Sequence, residues 1–371
     1  MIGSFSHKSF VSAETMNIIL LNKEIVMIKK FRSSLGIAFV LCAFFAVSSV
    51  HQAFAAKYNW KLAHEELQDG FMDTFAKEFK KKLGEKSNGE INVEVYPSGT
   101  LGTSEDLVNL VQENVIQFNL ADAGHLGSLI PEVQALLLQY LFPKDMDVVQ
   151  KVLNKGKFMD LLGEKFRKMD LEPLANLTEG WQVWTTSKPI RTPKDFEGFN
   201  MRTMTSRLLV ENYKAYGCNP TPMPYAEVYS GLQLNMIEGQ VNPLNCIDDM
   251  KFYEVQDYLI FAYTNPFILT FVTNTDFYAS LPADIQKMVA ETAKELIPAS
   301  FAWQKKFNKE KLEGMLTKKP SLKVIRLTEE EIDAFRKLAL PVRETYFKIA
   351  GPDGKKILET LEADIAEMSA K

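Results

Sequence analysis

The sequence predicts a two-domain α/β protein whose parallel sheets are flanked by helices. Strand-like and helix-like segments alternate over residues 58–122 and again over residues 199–244, which is typical of parallel sheets with crossover helices. Residues 282–316 form a long helical stretch with an apolar stripe at helical spacing. The chain after its leader is long enough to build two hydrophobic cores.

Residues 1–55 contain the features of a secretory signal. Met27 precedes three basic residues within six positions, an apolar run over residues 35–47 and the sequence Ala-Phe-Ala at residues 53–55. This order of charge, apolar run and small-residue cleavage site is that of a cleaved export signal. We therefore expect translation to start at Met27, the mature chain to begin near Ala56, and the protein to reside in the periplasm.

The first domain is predicted from residues 56–180. Strands are expected at residues 58–63, 91–96, 117–121 and 171–177, and helices at residues 70–87 and 105–112. Apolar residues of the first helix recur every three or four positions, and Thr103 or Ser104 can cap the second. His64, Glu65 and Asp122 follow strands, and ligands of such sheets bind beyond the carboxyl ends of the strands.

The second domain is predicted from residues 181–274. A strand at residues 199–202 leads to a helix capped by Thr205 or Ser206, and a strand at residues 218–223 leads to a helix from about Ala226. The chain then turns at Gly239 toward Asn242. Residues 275–371 are predicted to return to the first domain as helices, with a kink in the long helix at Pro298.

Arg202 and Asn242 are the candidate ligand-binding residues of the second domain. A guanidinium at a strand end can hold a carboxylate through two parallel hydrogen bonds, and a neighbouring amide can donate to the same ligand. Trp181 and Trp184 lie at the predicted crossing between domains, where they can stack on a ligand. Each residue also has a structural interpretation: a salt bridge for Arg202, a helix cap for Asn242 and packing for the tryptophans.

Composition excludes several classes of function. The chain has 43 Lys and Arg residues, 47 Asp and Glu residues and a formal net charge of −4. An acidic surface without a basic run argues against nucleic acid as a partner. No dinucleotide fingerprint, Walker A motif or nucleophile elbow occurs, and the chain after the leader has two histidines. We therefore expect no cofactor, no metal and no catalytic site, although an exported hydrolase on the same kind of fold is the competing class.

Cys218 and Cys246 are the cysteines that remain after the leader. A disulfide is permitted in an oxidising compartment. Buried free cysteines are nevertheless ordinary core residues, and we expect these two to be unpaired.

Three segments carry a resemblance to a known family. They are residues 96–112 (YPSGTLGTSEDLVNLVQ), residues 219–244 (NPTPMPYAEVYSGLQLNMIEGQVNPL) and residues 251–259 (KFYEVQDYL). In this order they resemble the DctP-type solute-binding proteins of tripartite ATP-independent periplasmic (TRAP) transporters. The resemblance extends from about Tyr58 to the C-terminal helices. It implies a periplasmic-binding-protein-like fold with a long helix spanning both domains.

The resemblance also implies roles for individual residues. Arg202 matches the arginine that holds the substrate carboxylate in the family, and Tyr225 matches a contact position. Many members carry a second arginine after the position of Gly180, whereas this chain has Trp181-Gln182-Val183-Trp184 there. The departure argues against a ligand that needs two arginines.

The expected function is capture of a small organic acid by a monomer, which delivers it to the membrane subunits of a TRAP transporter. One arginine, two tryptophans and nearby acidic residues favour a monocarboxylate with an aromatic or apolar body, such as an indole-type acid or an aromatic amino acid. If Glu65 and Asp122 face the cleft, an amino group on the ligand would give them a partner. The alternatives are a C4-dicarboxylate or sugar-acid binding protein of the same family, and the ligand-sensing subunit of a signalling system.

Overall fold

The computed structural model describes residues 56–370. The predicted export signal, its start at Met27 and its cleavage site before Ala56 fall on residues 1–55, which lie outside the described residues.

A five-stranded sheet forms the centre of the first domain. Its strands are β1 (Tyr58–His64), β2 (Ile91–Tyr96), β3 (Phe118–Asp122), β4 (Leu171–Trp181) and β10 (Pro266–Asn274). The strand order is β2-β1-β3-β10-β4. β1 runs parallel to β2 and β3, whereas β10 is antiparallel to both β3 and β4. The carboxyl ends of β1 and β3 therefore meet at one edge of the sheet.

A six-stranded sheet forms the centre of the second domain. Its strands are β5 (Val183–Thr186), β6 (Asn200–Thr203), β7 (Asn219–Pro222), β8 (Gly239–Asn242), β9 (Tyr258–Phe261) and β11 (Lys323–Arg326). The order is β11-β9-β5-β8-β6-β7. β6 is parallel to β7 and β8, and β5 is antiparallel to β8 and β9. The segment predicted as a turn at Gly239 is strand β8.

Twelve α-helices accompany the two sheets within residues 56–370. They are α1 (Phe71–Lys86), α2 (Ser104–Gln112), α3 (Ala123–Leu129), α4 (Met146–Lys155), α5 (Phe158–Arg167), α6 (Arg207–Ala215), α7 (Val228–Gln233), α8 (Leu244–Asp249), α9 (Thr275–Ser280), α10 (Ala283–Lys318), α11 (Glu329–Ala339) and α12 (Val342–Ser369). The last of these is broken at Gly351, which adopts a positive φ of 65°. The predicted two-domain α/β fold is confirmed.

Helix α1 shows why the predicted pattern folds as it does. Its apolar residues Phe71, Phe75, Phe79 and Leu83 are all buried. The ring of Phe79 meets that of Phe271 on β10 edge to face, with centroids 4.9 Å apart. Apolar residues at this spacing share one helix face, so the helix packs across the first sheet.

The chain first crosses between the domains at Gly180, near the end of β4. Gly180 has a φ of +94°, which is unfavourable for residues with a Cβ atom. A Cβ atom there would lie 2.5 Å from side-chain nitrogens of both Gln304 and Asn308. Asn308 donates a hydrogen bond to the carbonyl of Glu179 at 3.0 Å. Helix α10 thus packs directly against the crossing, and glycine is required there.

Helix α10 contacts both domains. It has 36 residues, a length of about 54 Å at 1.5 Å per residue. It packs against β4 and α1 of the first domain and against α8 of the second. The helix is continuous through Pro298, where the sequence predicts a kink. None of the helices in residues 56–370 is both long and apolar enough to cross a membrane.

The domain boundaries differ from the predicted ones at two points. Strand β10 begins at Pro266 and belongs to the first sheet, so the second crossing precedes residue 274. Strand β11 pairs with β9 in the second sheet, and Phe335 of α11 is buried in the same core as Trp184. Residues 323–339 therefore belong to the second domain. The sequence did not indicate this, because pairing with the edge of a distant strand leaves no local pattern.

Candidate functional site

A cleft lies where the carboxyl ends of β1 and β3 face those of β6 and β8. Its outer cavity has a volume of about 130 Å³, and a smaller inner cavity adjoins it. Both cavities are lined by Glu65, His125 and Tyr225, and the inner one also by Arg202 and Asn242. Since the two cavities share three residues, they form one binding cleft.

Arg202 lies on β6 at the bottom of this cleft, and the residue is only 1% exposed. Its Nε and Nη2 donate to the carbonyl oxygen of Met223 at 3.0 and 2.7 Å. Nη1 is buried and has no hydrogen-bond partner among the described residues. Burial lowers the pKa of Arg202 to about 10, although the Glu65 carboxyl counteracts this shift. Arg202 is therefore a buried cation at neutral pH with one donor nitrogen available to a ligand.

Glu65 directly follows β1 and lines both cavities. The hydroxyl of Ser104, at the start of α2, donates to its Oε2. Burial, together with repulsion from Asp122, raises the pKa of Glu65 to about 7. A cationic group in the cleft would favour the ionised carboxylate. Glu65 is thus suited to pair with a positive group of a ligand.

Asp122 and His125 form a hydrogen-bonded pair at the start of α3. Oδ1 of Asp122 caps the helix by accepting from the backbone nitrogens of Gly124 at 2.7 Å and His125 at 3.2 Å. Its Oδ2 accepts from Nδ1 of His125. Burial opposes the positive charge on His125, but Asp122 and Glu65 outweigh it and raise the pKa of His125 to about 9. The cleft therefore contains an imidazolium beside Arg202.

Asn242 and Tyr225 contribute to the walls of the cleft. Asn242 ends β8 and its Nδ2 donates to the side chain of Gln240. Tyr225 precedes α7, and its hydroxyl donates to the carbonyl of Cys246 at 3.4 Å. Its ring lines both cavities and meets Phe252 edge to face. Both predicted residues are thus placed where they can contact a ligand.

A second carboxyl pair, Glu66 and Glu179, lies at the inner cavity, which Glu66 lines. Glu66 accepts hydrogen bonds from Met72 N at 2.7 Å and from the side chain of Asn245 on α8. The thiol of Cys246 donates to Glu66 at 3.3 Å and lies 3.6 Å from Glu179. Burial raises the pKa of both carboxyls, and repulsion between them raises that of Glu179 further. The hydrogen bonds of Asn245 and Cys246 to these carboxyls thus help to hold α8 of the second domain against the first.

Three predicted site residues lie outside the cleft. Trp184 is fully buried in the second core, where its indole nitrogen donates to the hydroxyl of Tyr213 at 2.9 Å. Trp181 packs edge to face on Tyr263, with ring centroids 5.7 Å apart. His64 is fully buried and lies 3.3 Å from Asp73. Stacking of a ligand on the tryptophans and ligand contact by His64 therefore do not fit this structure.

Asp122 has a different position from the one predicted. It does not line either cavity, because both of its oxygens are engaged by α3 and His125. His125 was not predicted, although Asp122 followed by a short helix with a histidine three residues later is the signal that could have indicated it. The sequence analysis therefore identified Asp122, the partner of His125, and missed His125, which lines the cleft.

The cysteines are unpaired, and internal hydrogen bonds link the side chains of two titratable clusters. Cys218 and Cys246 are both free and buried. In the described part of the chain, two groups of side chains bring their Asp, Glu, His or Cys ligand atoms within 4.8 Å of one another, namely Glu65, Asp122 and His125, and Glu66, Glu179 and Cys246. Hydrogen bonds within each group already link these atoms, so we assign neither group to a metal.

Two α/β domains, a long helix that contacts both, and a charged cleft between them define a solute-binding protein. The model of the family "Bacterial extracellular solute-binding protein, family 7" (DctP) matches residues 62–349. The chain belongs to this family, whose members are binding proteins of TRAP transporters.

Curated relatives cover most of the chain. It is 35% identical to the ectoine-binding periplasmic protein TeaA of Halomonas elongata over 84% of this chain and 92% of TeaA. It is 34% identical to the ectoine/5-hydroxyectoine-binding periplasmic protein UehA of Ruegeria pomeroyi over 83% of this chain and 91% of UehA. Relatives that are matched over more than nine-tenths of their own length thus show the family and the kind of transporter.

Solved structures of TRAP solute-binding proteins also resemble this chain. The periplasmic ectoine-binding protein of Halomonas elongata superposes with a TM-score of 0.81 over 83% of this chain and 99% of that chain, at 35% identity. A TRAP periplasmic solute-binding protein from Desulfovibrio salexigens, with bound orotic acid, has a TM-score of 0.80 and 29% identity over 84% of this chain and 99% of that chain.

Proposed function

We propose that this protein captures a compact zwitterionic carboxylate in the periplasm and delivers it to TRAP membrane subunits. The observation that carries the proposal is the pairing of Arg202 and Glu65 in one cleft. Nη1 of Arg202 is buried and has no partner within residues 56–370, and Glu65 lines the same inner cavity. The cleft therefore offers one site for an anion and another for a cation.

The carboxylate of the ligand occupies the position in front of Nη1 of Arg202. Two of the guanidinium nitrogens are already fixed on the carbonyl of Met223, so the side chain is oriented before the ligand arrives. Pre-organisation of this kind lowers the entropy lost on binding. A carboxylate also relieves the cost of a buried donor without a partner.

The cationic part of the ligand faces Glu65. A second carboxylate at this place would meet a carboxyl whose pKa is already raised by burial and by Asp122. The outer cavity, of about 130 Å³, is smaller than the range of about 300–1,000 Å³ that is usual for ligand pockets. These features favour a small zwitterion, and the relatives TeaA and UehA are named for ligands of this chemistry.

The second candidate is a monocarboxylate or amino acid with an aromatic body. It is favoured by Tyr225, whose ring lines both cavities, and by Phe267, which lines the inner one. Aromatic rings contribute favourable edge-to-face or offset contacts. In this candidate the ligand packs on Tyr225, since the tryptophans lie outside the cleft.

A thermal-shift panel tests the proposal. Ligand that binds only the folded protein stabilises it by about 2.7 kcal/mol at a hundredfold excess over Kd. Ectoine and 5-hydroxyectoine should raise the unfolding midpoint more than succinate or galactonate, which lack a cationic group. Tryptophan and indole-3-acetate test the second candidate. Larger shifts with succinate than with any zwitterion would overturn the proposal.

The pH dependence should have opposite signs for stability and for binding. The pKa of Glu65 is raised from 4.5 to about 7, so the folded state binds this proton more tightly than the unfolded state does. Its contribution should make the free energy of unfolding fall as pH rises from 5 to 7. Affinity for ectoine should rise over the upper part of this range, because the ionised carboxylate attracts the cation.

Calorimetry and urea unfolding between pH 5 and 8 measure these two trends. Glu65→Gln should weaken the pH dependence of both the free energy of unfolding and the ectoine affinity. Glu94→Gln, on an exposed part of β2, serves as the matched control. An ectoine affinity that falls between pH 6 and 7.5 would contradict the role of Glu65.

A further inference from the structure

His125 has one ring nitrogen that no described residue engages. Nδ1 donates to Asp122, whereas no hydrogen bond joins Nε2 to any side chain or backbone group in residues 56–370. His125 lines both cavities and is 7% exposed. A nearly buried ring at the cleft is thus held at Nδ1, and its Nε2 is left without a partner among these residues.

We propose that His125 is a second donor to the ligand and selects carboxylates that carry a further oxygen acceptor, such as a hydroxyl group. The inference rests on the proposed function, because it concerns the same cleft. It extends that function by naming the ligand class: a small zwitterion with a hydroxyl or carbonyl oxygen besides its carboxylate.

The charged groups around His125 keep it a donor. Asp122 lies on one side of the ring, Glu65 lies 3.7 Å from Nδ1, and Arg202 and Glu105 line the surrounding cavities. Asp122 is fixed by its cap on α3, so it holds the proton on Nδ1 and fixes the ring orientation. Burial disfavours the imidazolium, but Asp122 and Glu65 raise the pKa of His125 to about 9.

The protonation state of His125 decides which ligand atoms it can bind. An imidazolium has only donors, whereas a neutral ring with its proton on Nδ1 presents Nε2 as an acceptor. A charged His125 therefore binds hydroxyl, carbonyl or carboxylate oxygens and repels a ligand ammonium group. Together with Arg202 it forms the side of the cleft that binds oxygen, and Glu65 forms the side that binds a cation. The sequence analysis expected Arg202 as the single cationic residue of the cleft, and this proposal adds His125 to it.

Calorimetry with ectoine and 5-hydroxyectoine tests the selection, because the two probes differ by one hydroxyl group. A hydrogen bond to a charged donor corresponds to a preference of about tenfold or more. The wild-type protein should therefore prefer 5-hydroxyectoine by about tenfold, His125→Phe should abolish the preference, and His125→Gln, which retains a neutral donor, should show an intermediate ratio. An unchanged ratio in His125→Phe would overturn the proposal.

Nitrogen NMR of the histidine rings tests it with smaller probes. His64 and His125 are the two histidines of residues 56–371, and His64→Gln assigns their signals. At pH 7.5 both nitrogens of His125 should be protonated, and millimolar glycolate should shift the Nε2 signal more than acetate does. A neutral ring, or equal shifts with the two acids, would overturn the role of His125.

The two experiments separate the two proposals. If neither ectoine probe binds but glycolate shifts Nε2 selectively, the zwitterion assignment fails and the role of His125 stands. If ectoine binds with the pH dependence expected for Glu65 but His125→Phe keeps the wild-type preference, the proposed function stands and this inference fails.

Discussion

Arg202→Lys should weaken ectoine binding by at least about thirtyfold. Arg202 is 1% exposed, and its planar guanidinium spans the Met223 carbonyl and the cleft. A lysine ammonium is a single point and cannot make both sets of contacts. Loss of one partner of a buried charge pair costs about 2–5 kcal/mol in comparable interfaces.

Calorimetry measures this effect, and Arg207→Lys is the matched control. Arg207 is exposed at the start of α6 in the same domain, so the same substitution there should leave ectoine binding unchanged. Urea unfolding of Arg202→Lys shows whether the variant is folded. Binding by folded Arg202→Lys within about threefold of wild type would contradict the assignment of the carboxylate site.

Trp184→Ala should destabilise the protein by about 3–5 kcal/mol, the usual cost of removing a large aromatic side chain from a core. Trp184 is fully buried. Its ring meets those of Phe196 and Phe335 at centroid distances of 4.9 and 5.3 Å. Its hydrogen bond to Tyr213 is lost as well.

Urea unfolding gives the stability loss, with Trp181→Ala as the control. Trp181 is only partly buried, so its replacement should cost less. Trp184→Phe preserves most of the packing, and ectoine affinity of this variant should stay within about twofold of wild type. A large loss of affinity in a stable Trp184→Phe protein would restore the ligand-stacking role predicted from the sequence.

The sequence predicted the elements that lie next to the cleft. Glu65 and Arg202 were found because ligands of parallel sheets bind beyond the carboxyl ends of strands, and this rule needs only the order of strands and helices. Asn242 was found by the same rule, and Tyr225 came from the resemblance to the family. The long helix followed from the helical spacing of its apolar residues, and it packs against both domains.

The orientation of side chains and the partners between distant segments could not be predicted in the same way. Trp184 lies in the four-residue strand β5, which pairs on both sides, so a short alternating pattern does not indicate which face is buried. Glu66, Glu179 and Cys246 come together from three distant elements. His125 depends on the turn by which Asp122 caps α3. Each of these contacts is a product of tertiary packing.

The central claim is that the cleft holds a small zwitterion between Arg202 and Glu65. Its most direct test is mass spectrometry of ligands retained after the refolded, ligand-free protein is incubated with an equimolar mixture and desalted. The mixture contains ectoine, 5-hydroxyectoine, tryptophan, indole-3-acetate, succinate and galactonate. We expect the two ectoines to be retained by wild-type protein and lost from Arg202→Lys. Retention of succinate or galactonate in place of every zwitterion would contradict the claim.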